Sequence, residues 1–250
     1  MRKHLLGLLA VLVLLGVWSI FSYGKLVSAL FLPTPDEVAS TLYQQLFVTG
    51  EIWSDIWATF ARTAAGFVIG GFLGVLLGIA LGMAPRIYAG LELLIDFFRS
   101  IPATALFPLF LLFFGIGDEA KVAVAVWVSV LIVLVNTSYG VRHASKLRLM
   151  AAKSFRPSQF KLFKDVVLYE AAPHIASALR IALSLSLVVV IVTEMFIGTN
   201  VGLGHRIIDA QLVYRTPEMY AAIILAGVLG YLMNQGFLLS EKRLIHWSGR

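Results

Sequence analysis

The chain has 250 residues, 59% hydrophobic and 14% charged, with a formal charge of +6. Charged residues make up about a quarter of an ordinary soluble domain, so this composition excludes one or two water-soluble domains and describes an integral membrane protein. Cysteine is absent, which excludes disulfides, thiolate nucleophiles and cysteine-ligated metal centres.

Met1-Arg-Lys-His leads into the apolar run Leu5 to Ile20, which ends in bulky Trp18-Ser-Ile-Phe-Ser-Tyr, with no small-residue cleavage site. A retained first span, Leu5 to Tyr23, with its N-terminus in the cytoplasm is expected. Phe31-Leu-Pro-Thr-Pro-Asp-Glu cannot continue a helix, and Thr34 or Asp36 is placed to cap the next one. Val38 to Phe47 reads as an amphipathic helix at the outer surface, within an outer segment of residues 30–55. Ile56 to Met83 is a long second span, ended by Pro85-Arg86. Tyr88 to Gly115 is apolar but interrupted by Pro102 and Pro108. It predicts a surface or half-buried helix to Arg99, where Asp96 and Arg99 pair at the inner surface, then a kinked third span from Ile101 to Phe114. Fourteen residues are short for about 30 Å of hydrocarbon, so part of the preceding helix must enter obliquely. Lys121 to Tyr139 is span four, Ile175 to Phe196 span five, Gly198 to Pro217 an outer segment, and Met219 to Leu239 span six.

Between spans four and five, Arg142 to Lys164 holds seven Lys/Arg and no acid. Such a connector reads as a cytoplasmic loop, and its short helix either lies on the bilayer or grips a cytoplasmic partner. Of the 20 Lys/Arg, 13 fall in segments assigned to the cytoplasm: Arg2, Lys3, Arg86, these seven, Lys242, Arg243 and Arg250. Topology therefore explains the positive charge, and no nucleic-acid partner is needed. Six spans place both termini in the cytoplasm.

Gly66, Gly70, Gly74, Gly78 and Gly82 recur at spacing four along the second span, forming one stripe of a helix. The stripe permits close approach of a second backbone, either a helix of the same subunit or the lining of a path or subunit interface. Glu194, beside Met195, is an acid near the end of an otherwise uncharged stretch. It either makes a structural ion pair or helix-end bond, or acts in gating or passage. The five histidines, at 4, 143, 174, 205 and 246, lack metal-site spacing, and no H-E-x-x-H, G-x-S-x-G or P-loop occurs.

Ala151-Ala-Lys-Ser-Phe-Arg-Pro-Ser-Gln-Phe-Lys-Leu-Phe-Lys-Asp-Val-Val-Leu resembles the cytoplasmic EAA loop of binding-protein-dependent ABC importer permeases. Ala151 and Ala152 agree with that loop, as do Ser158, Phe160, Leu162, Phe163 and Val167-Leu168. Met150 stands where the family has Glu, Arg156 where it has Gly, and Tyr169 where a proline is usual. Phe31-Leu-Pro-Thr-Pro-Asp-Glu-Val, Arg99-Ser-Ile-Pro to Gly115-Ile-Gly, Asn136-Thr, Gly140-Val-Arg142, Glu194-Met195 and Gly202-Leu-Gly204 are similar, in order, to the nitrate, sulfonate, taurine and bicarbonate branch.

The resemblance implies an all-α, six-span type I permease forming a single domain over residues 1–250, with a coupling loop at 142–165, in a bacterial cytoplasmic membrane. It implies a non-catalytic subunit without a cofactor of its own, paired with a second permease that is either identical or a divergent paralogue. Two partner ATPases would bind ATP and Mg, and an extracytoplasmic solute-binding protein would dock outside. Met150, Ala151, Ala152, Phe155, Arg156, Phe160, Leu162 and Phe163 would form the ATPase contact. Lys153, Arg156, Lys161 and Lys164 would steer docking or hold anionic lipid headgroups. A glycine at 156 would allow a tight turn that Arg156-Pro157 replaces by another, with Pro157 opening the second helix. Loss of the Glu implies a degenerate site, an equally divergent ATPase, or a second permease with the usual motif. The alternative reading is an ATP-independent secondary transporter or channel subunit.

Overall fold

A computed structural model of the chain describes residues 2–196 and 200–245, with side chains from Leu6 onward. The expectations attached to Gly198, Thr199, His246 and Arg250, and to the side chains of Arg2, Lys3 and His4, lie outside what is described. The described residues are all helical or irregular, without strands. Their α-helices are α1 (Arg2–Tyr23), α2 (Pro35–Tyr43), α3 (Ile52–Met83), α4 (Pro85–Ser100), α5 (Phe107–Phe114) and α6 (Asp118–Arg142). They continue as α7 (Lys146–Ser154), α8 (Gln159–Leu162), α9 (Leu168–Phe196), α10 (Leu203–Leu212) and α11 (Thr216–Leu244). A 3-10 turn, Ala103–Leu106, precedes α5, and a π turn, Phe163–Val167, joins α8 to α9.

Among the described residues, five helices are long and apolar enough to cross a membrane: α1, α3, α6, α9 and α11. The chain also divides into two compact units, Met1–Ala58 with Glu194–Val228, and Thr59–Thr193 with Leu229–Arg250. In the first, Pro33 and Pro35 force the turn after α1, and Thr34 is the N-cap of α2, its N–H donating to Glu37 Oε2 at 2.9 Å. Asp36 accepts a hydrogen bond from the Tyr23 hydroxyl. That bond, and then one from Thr34, hold its carboxyl below its ordinary value. The exposed carbonyls of this turn are taken up by side chains: Trp18 Nε1 donates to Pro33 O (2.9 Å), Thr216 Oγ1 to Leu30 O (2.9 Å) and Tyr220 Oη to Phe31 O (3.1 Å).

The core of the second unit is built on α6. Its partner α3 carries the glycine stripe. A Cβ added at Gly66, Gly70, Gly74, Gly78 or Gly82 would meet the Cβ of Ala125, Ser129, Val133, Thr137 or Val141 at 2.4, 2.5, 2.7, 2.5 and 2.7 Å. The stripe therefore packs against a helix of the same chain, and Ser138 Oγ donates to Gly78 O at 3.0 Å across the seam. On its other side α6 meets α9, where Val133 packs on Ala178 and Ala182 and Ser129 bonds Ser186 at 2.7 Å.

The ladder also fixes direction. Residue numbers rise together from Gly66–Ala125 to Gly82–Val141, so α3 and α6 run parallel. Arg62 bonds Asp118 at 2.8 Å, so the chain leaving α3 at Met83 regains the level of Arg62 before α6 begins. That return covers the rise of 21 helical residues, about 32 Å, a full hydrocarbon thickness. The segment between is α4 with α5, a pair bent by 85°. Counted as one broken span, it brings the candidate crossings among the described residues from five to six.

The break falls where the prolines of the sequence put it, after Ser100 and before Ala103. Phe98 packs edge-on against Trp127, ring centroids 5.4 Å apart, and Trp127 lies nine residues into α6. α4 thus forms one half of the crossing, the oblique entry that the short segment after it requires. Asp96 and Arg99 do pair, at 3.3 Å.

Candidate functional site

The basic connector folds as a helical hairpin. Ser145 caps α7 by accepting from Arg148 N, and Ser158 caps α8 by accepting from Lys161 N at 3.2 Å. Pro157 therefore precedes the cap instead of opening the helix. Arg156 adopts φ +47°, the left-handed turn that glycine takes, so the turn is kept and a side chain is strained into it. At its root the hairpin is tied to the spans. Arg142 lies 3.7 Å over the Tyr88 ring, His143 stacks on Tyr139 at 4.0 Å, and Arg148 forms an ion pair with Glu170 in the first turn of α9.

Burial divides the expected contact residues. Phe155 is 87% exposed and Phe160 73%, and Met150, Ala151 and Arg156 also face outward. Leu162 is 8% exposed and Phe163 and Ala152 are half-buried. Leu162 therefore fastens the hairpin to its own chain and is not free to grip a partner. The exposed edge is two phenylalanines among Lys153, Arg156, Lys161 and Lys164, an arrangement that fits an apolar groove with a polar rim.

A second constellation surrounds α10, which the sequence left within an undivided outer segment. Two carboxylates hold its N-terminal turn. Asp55, 4% exposed, accepts from Gly202 N at 2.8 Å and from Arg206 Nε at 2.6 Å. Glu194, 1% exposed, accepts from Gly204 N at 3.0 Å. Negative charge at a helix N-terminus is stabilised by the unpaired N–H groups there. Gly202 has φ +142°, and a Cβ on it would lie 2.6 Å from the Glu194 carboxyl carbon, so no side chain fits. Beside this turn is a polar cleft of about 240 Å³, lined by Asp55, His205, Arg206, Asp209, Arg215 and Glu218.

Glu194 thus makes a helix-end bond, one of the two readings the sequence left open; Met195, its neighbour, is half-buried at the end of α9. Sequence reasoning passed over Asp55, Arg62, Lys121 and Arg206. A signal was present for one of them, because Arg62 interrupts an apolar span and an ionisable group there should face protein. Arg62 is 6% exposed and Lys121 is fully buried, donating to Gly117 O at 3.1 Å. Among the described residues, no cluster of His, Asp or Glu is arranged to hold a metal ion.

Residues 57–246 match the family described as binding-protein-dependent transport system inner membrane component. The chain is 28% identical to the taurine transport system permease protein TauC of Escherichia coli K12, over 99% of this chain and 91% of that one. It is 32% identical to the putative aliphatic sulfonates transport permease protein SsuC of the same organism, over 94% and 89%. Its fold matches a chain of the inward-facing MetNI methionine ABC transporter with a TM-score of 0.60 and 20% identity, covering 83% of this chain and 98% of that one.

Proposed function

We propose a solute class, partners and an orientation for this chain on one premise: it belongs to the binding-protein-dependent transport system inner membrane component family, the non-catalytic permeases of ABC importers. The solute is a small anion of the sulfonate kind, a reading supported by the likeness to TauC and SsuC. The chain acts as one permease domain in a bacterial inner membrane with both termini in the cytoplasm. It pairs with a second permease, identical or divergent, and with two ATPases that bind ATP and Mg. A solute-binding protein docks on the face that carries α10. Family membership leaves no place for the ATP-independent alternative.

The observation that carries the ATPase contact is the split in burial along the hairpin. Leu162 points home while Phe155 and Phe160 stand out among cations. Closure of the ATPase dimer moves these two rings, and the ties at Arg142 and Arg148 pass the movement to α6 and α9. Glu194 and Met195 serve as gate or pathway residues, Glu194 keeping α10 in place as the spans rock.

Copurification of the ATPases tests this. Truncating a buried interface aromatic costs about 2 kcal/mol, so Phe160→Ala should weaken association about 30-fold. Lys161→Ala, a rim change, should cost under about 1 kcal/mol and lose its effect at high salt. Normal association and coupled hydrolysis in a Phe155→Ala, Phe160→Ala double variant would reject the hairpin as the contact.

A further inference from the structure

The break between α4 and α5 is a site in its own right. α4 has three faces. Tyr88 and Ile95 are buried against the spans, whereas Leu93, Leu94 and Phe97 are exposed apolar side chains suited to lipid. Glu92, Asp96 and Arg99 recur at i, i+4 and i+7, forming a third, polar and exposed face.

Depth makes that face unusual. Trp127, against which Phe98 packs, lies nine residues below Asp118, about 14 Å along a helix. That is close to the middle of a hydrocarbon layer of about 30 Å. The Arg99 side chain is 47% exposed and its partner Asp96 62%. An exposed ion pair at this depth is costly against lipid and is tolerated where the side chains meet protein or water. The same holds for the backbone, since α4 ends at Ser100 and regular structure resumes only at Ala103. Irregular backbone at membrane depth is tolerated where it is buried in protein or lines a water-filled cavity. The break borders a cavity of about 360 Å³ whose lining is mostly apolar, Trp127, Leu131 and Leu185 among it, with Arg99 as its charged member.

We propose that Arg99 is a mid-membrane oxyanion site on the solute path, made by the helix break and moderated by Asp96. The guanidinium offers paired N–H donors that match the oxygens of a sulfonate or carboxylate. Asp96 supplies a resting counter-ion at 3.3 Å, which an arriving oxyanion displaces. That competition keeps the hold weak enough for the solute to leave, as conduction requires. Where the solute also carries an ammonium group, the freed Asp96 receives it. The site deepens the importer reading and rests on it.

The absence of cysteine permits a direct test. Ser100→Cys and Leu93→Cys are made singly, and the assembled transporter, permeases with ATPases, is reconstituted in liposomes. Each is then exposed to methanethiosulfonates bearing a sulfonate or a trimethylammonium group. Cysteine at 100 should react with both, faster with the anion, and cysteine at 93 with neither. Adding Arg99→Gln should lower the anion-to-cation rate ratio about tenfold, the effect of one charge within a few ångströms in a partly wet site. Arg99→Lys, which keeps the charge, should leave the ratio within about threefold of that with Arg99 intact. The site is overturned if cysteine at 100 reacts no faster than at 93, or if Arg99→Gln leaves the ratio unchanged. Failure of the importer reading would appear separately, as absence of ATP-driven uptake of a sulfonate by the unsubstituted transporter supplied with its binding protein.

Discussion

Gly66→Ala is the sharpest probe of the helix ladder, because one atom decides it. The new Cβ would lie 2.4 Å from Ala125 Cβ, while the next atoms, Val122 O and Ala125 C, are at 3.3 and 3.4 Å. Carbon atoms in contact normally sit about 3.5–4.0 Å apart, so α3 and α6 must part by roughly 1 Å or more. Overpacking of this kind costs about 1–3 kcal/mol, and the better helix propensity of Ala returns about 0.5–1. The net loss expected is about 1–2 kcal/mol, a fall in unfolding temperature of roughly 3–6 °C for a chain of this size. The measurement is thermal unfolding in detergent, with Gly16→Ala as the control, since a Cβ at Gly16 meets nothing within 4 Å. Ala125→Gly in the Gly66→Ala background moves the same methyl group from one helix to the other. It should recover most of the loss, giving a coupling of about 1–2 kcal/mol in the double-mutant cycle. Equal behaviour of Gly66→Ala and Gly16→Ala, or no recovery in the double variant, would refute the parallel seam and the crossing count built on it.

At the hairpin, Arg156→Gly should stabilise the turn by about 1 kcal/mol by relieving a left-handed arginine, seen as slower amide exchange in α7 and α8. Arg156→Val should do the opposite. At the other end, Glu194→Gln keeps an acceptor for Gly204 N and should preserve assembly while reducing ATP-driven uptake, whereas Gly202→Ala, blocked by the Glu194 carboxyl, should cost more than 2 kcal/mol, near the upper end of the usual range for one substitution. Uptake and unfolding temperature measured side by side distinguish the two, and wild-type uptake in Glu194→Gln would leave that carboxylate a cap alone.

The spans were legible because length and hydropathy are local properties. The glycine stripe was legible as a face for the same reason, since spacing four maps directly onto a helix surface. Its neighbour was not, because periodicity names a face and not what covers it. Yet Ala125, Ser129, Val133, Thr137 and Val141 repeat at the same spacing, with three small side chains among them. The α10 constellation was illegible for a different reason. Its helix begins at a glycine, and the acceptors for Gly202 N and Gly204 N stand 147 and 10 residues away. Arg156 misled because the residue type argued against a left-handed turn that the surrounding helices nonetheless impose. The break after Ser100 was legible from Pro102, but an apolar segment cut by prolines gives the length of each piece and not the 85° angle between them.

The ladder bears on how the proposed movement travels. Five close contacts spaced from Gly66 to Gly82, about 24 Å of helix, cannot all survive if α3 turns or slides against α6. The hydrogen bond from Ser138 to Gly78 O and the Ser129–Ser186 bond to α9 restrain the same three helices in depth. Under the proposed coupling, force arriving through the hairpin should move α3, α6 and α9 as one block, with the break from Ser100 to Ala103, which lacks a helical ladder, as the compliant element beside it. Joining the block covalently should then cost nothing in function. Ser129→Cys with Ser186→Cys replaces hydroxyls 2.7 Å apart, close enough for a disulfide with little backbone change. Oxidised in the otherwise cysteine-free transporter, this pair should retain at least about half of the reduced form's ATP-driven uptake, and substrate-stimulated hydrolysis should be equally insensitive to reductant. If oxidation abolishes uptake and reductant restores it while the ATPases stay bound, α6 and α9 must separate during the cycle, and transmission through a rigid block is wrong.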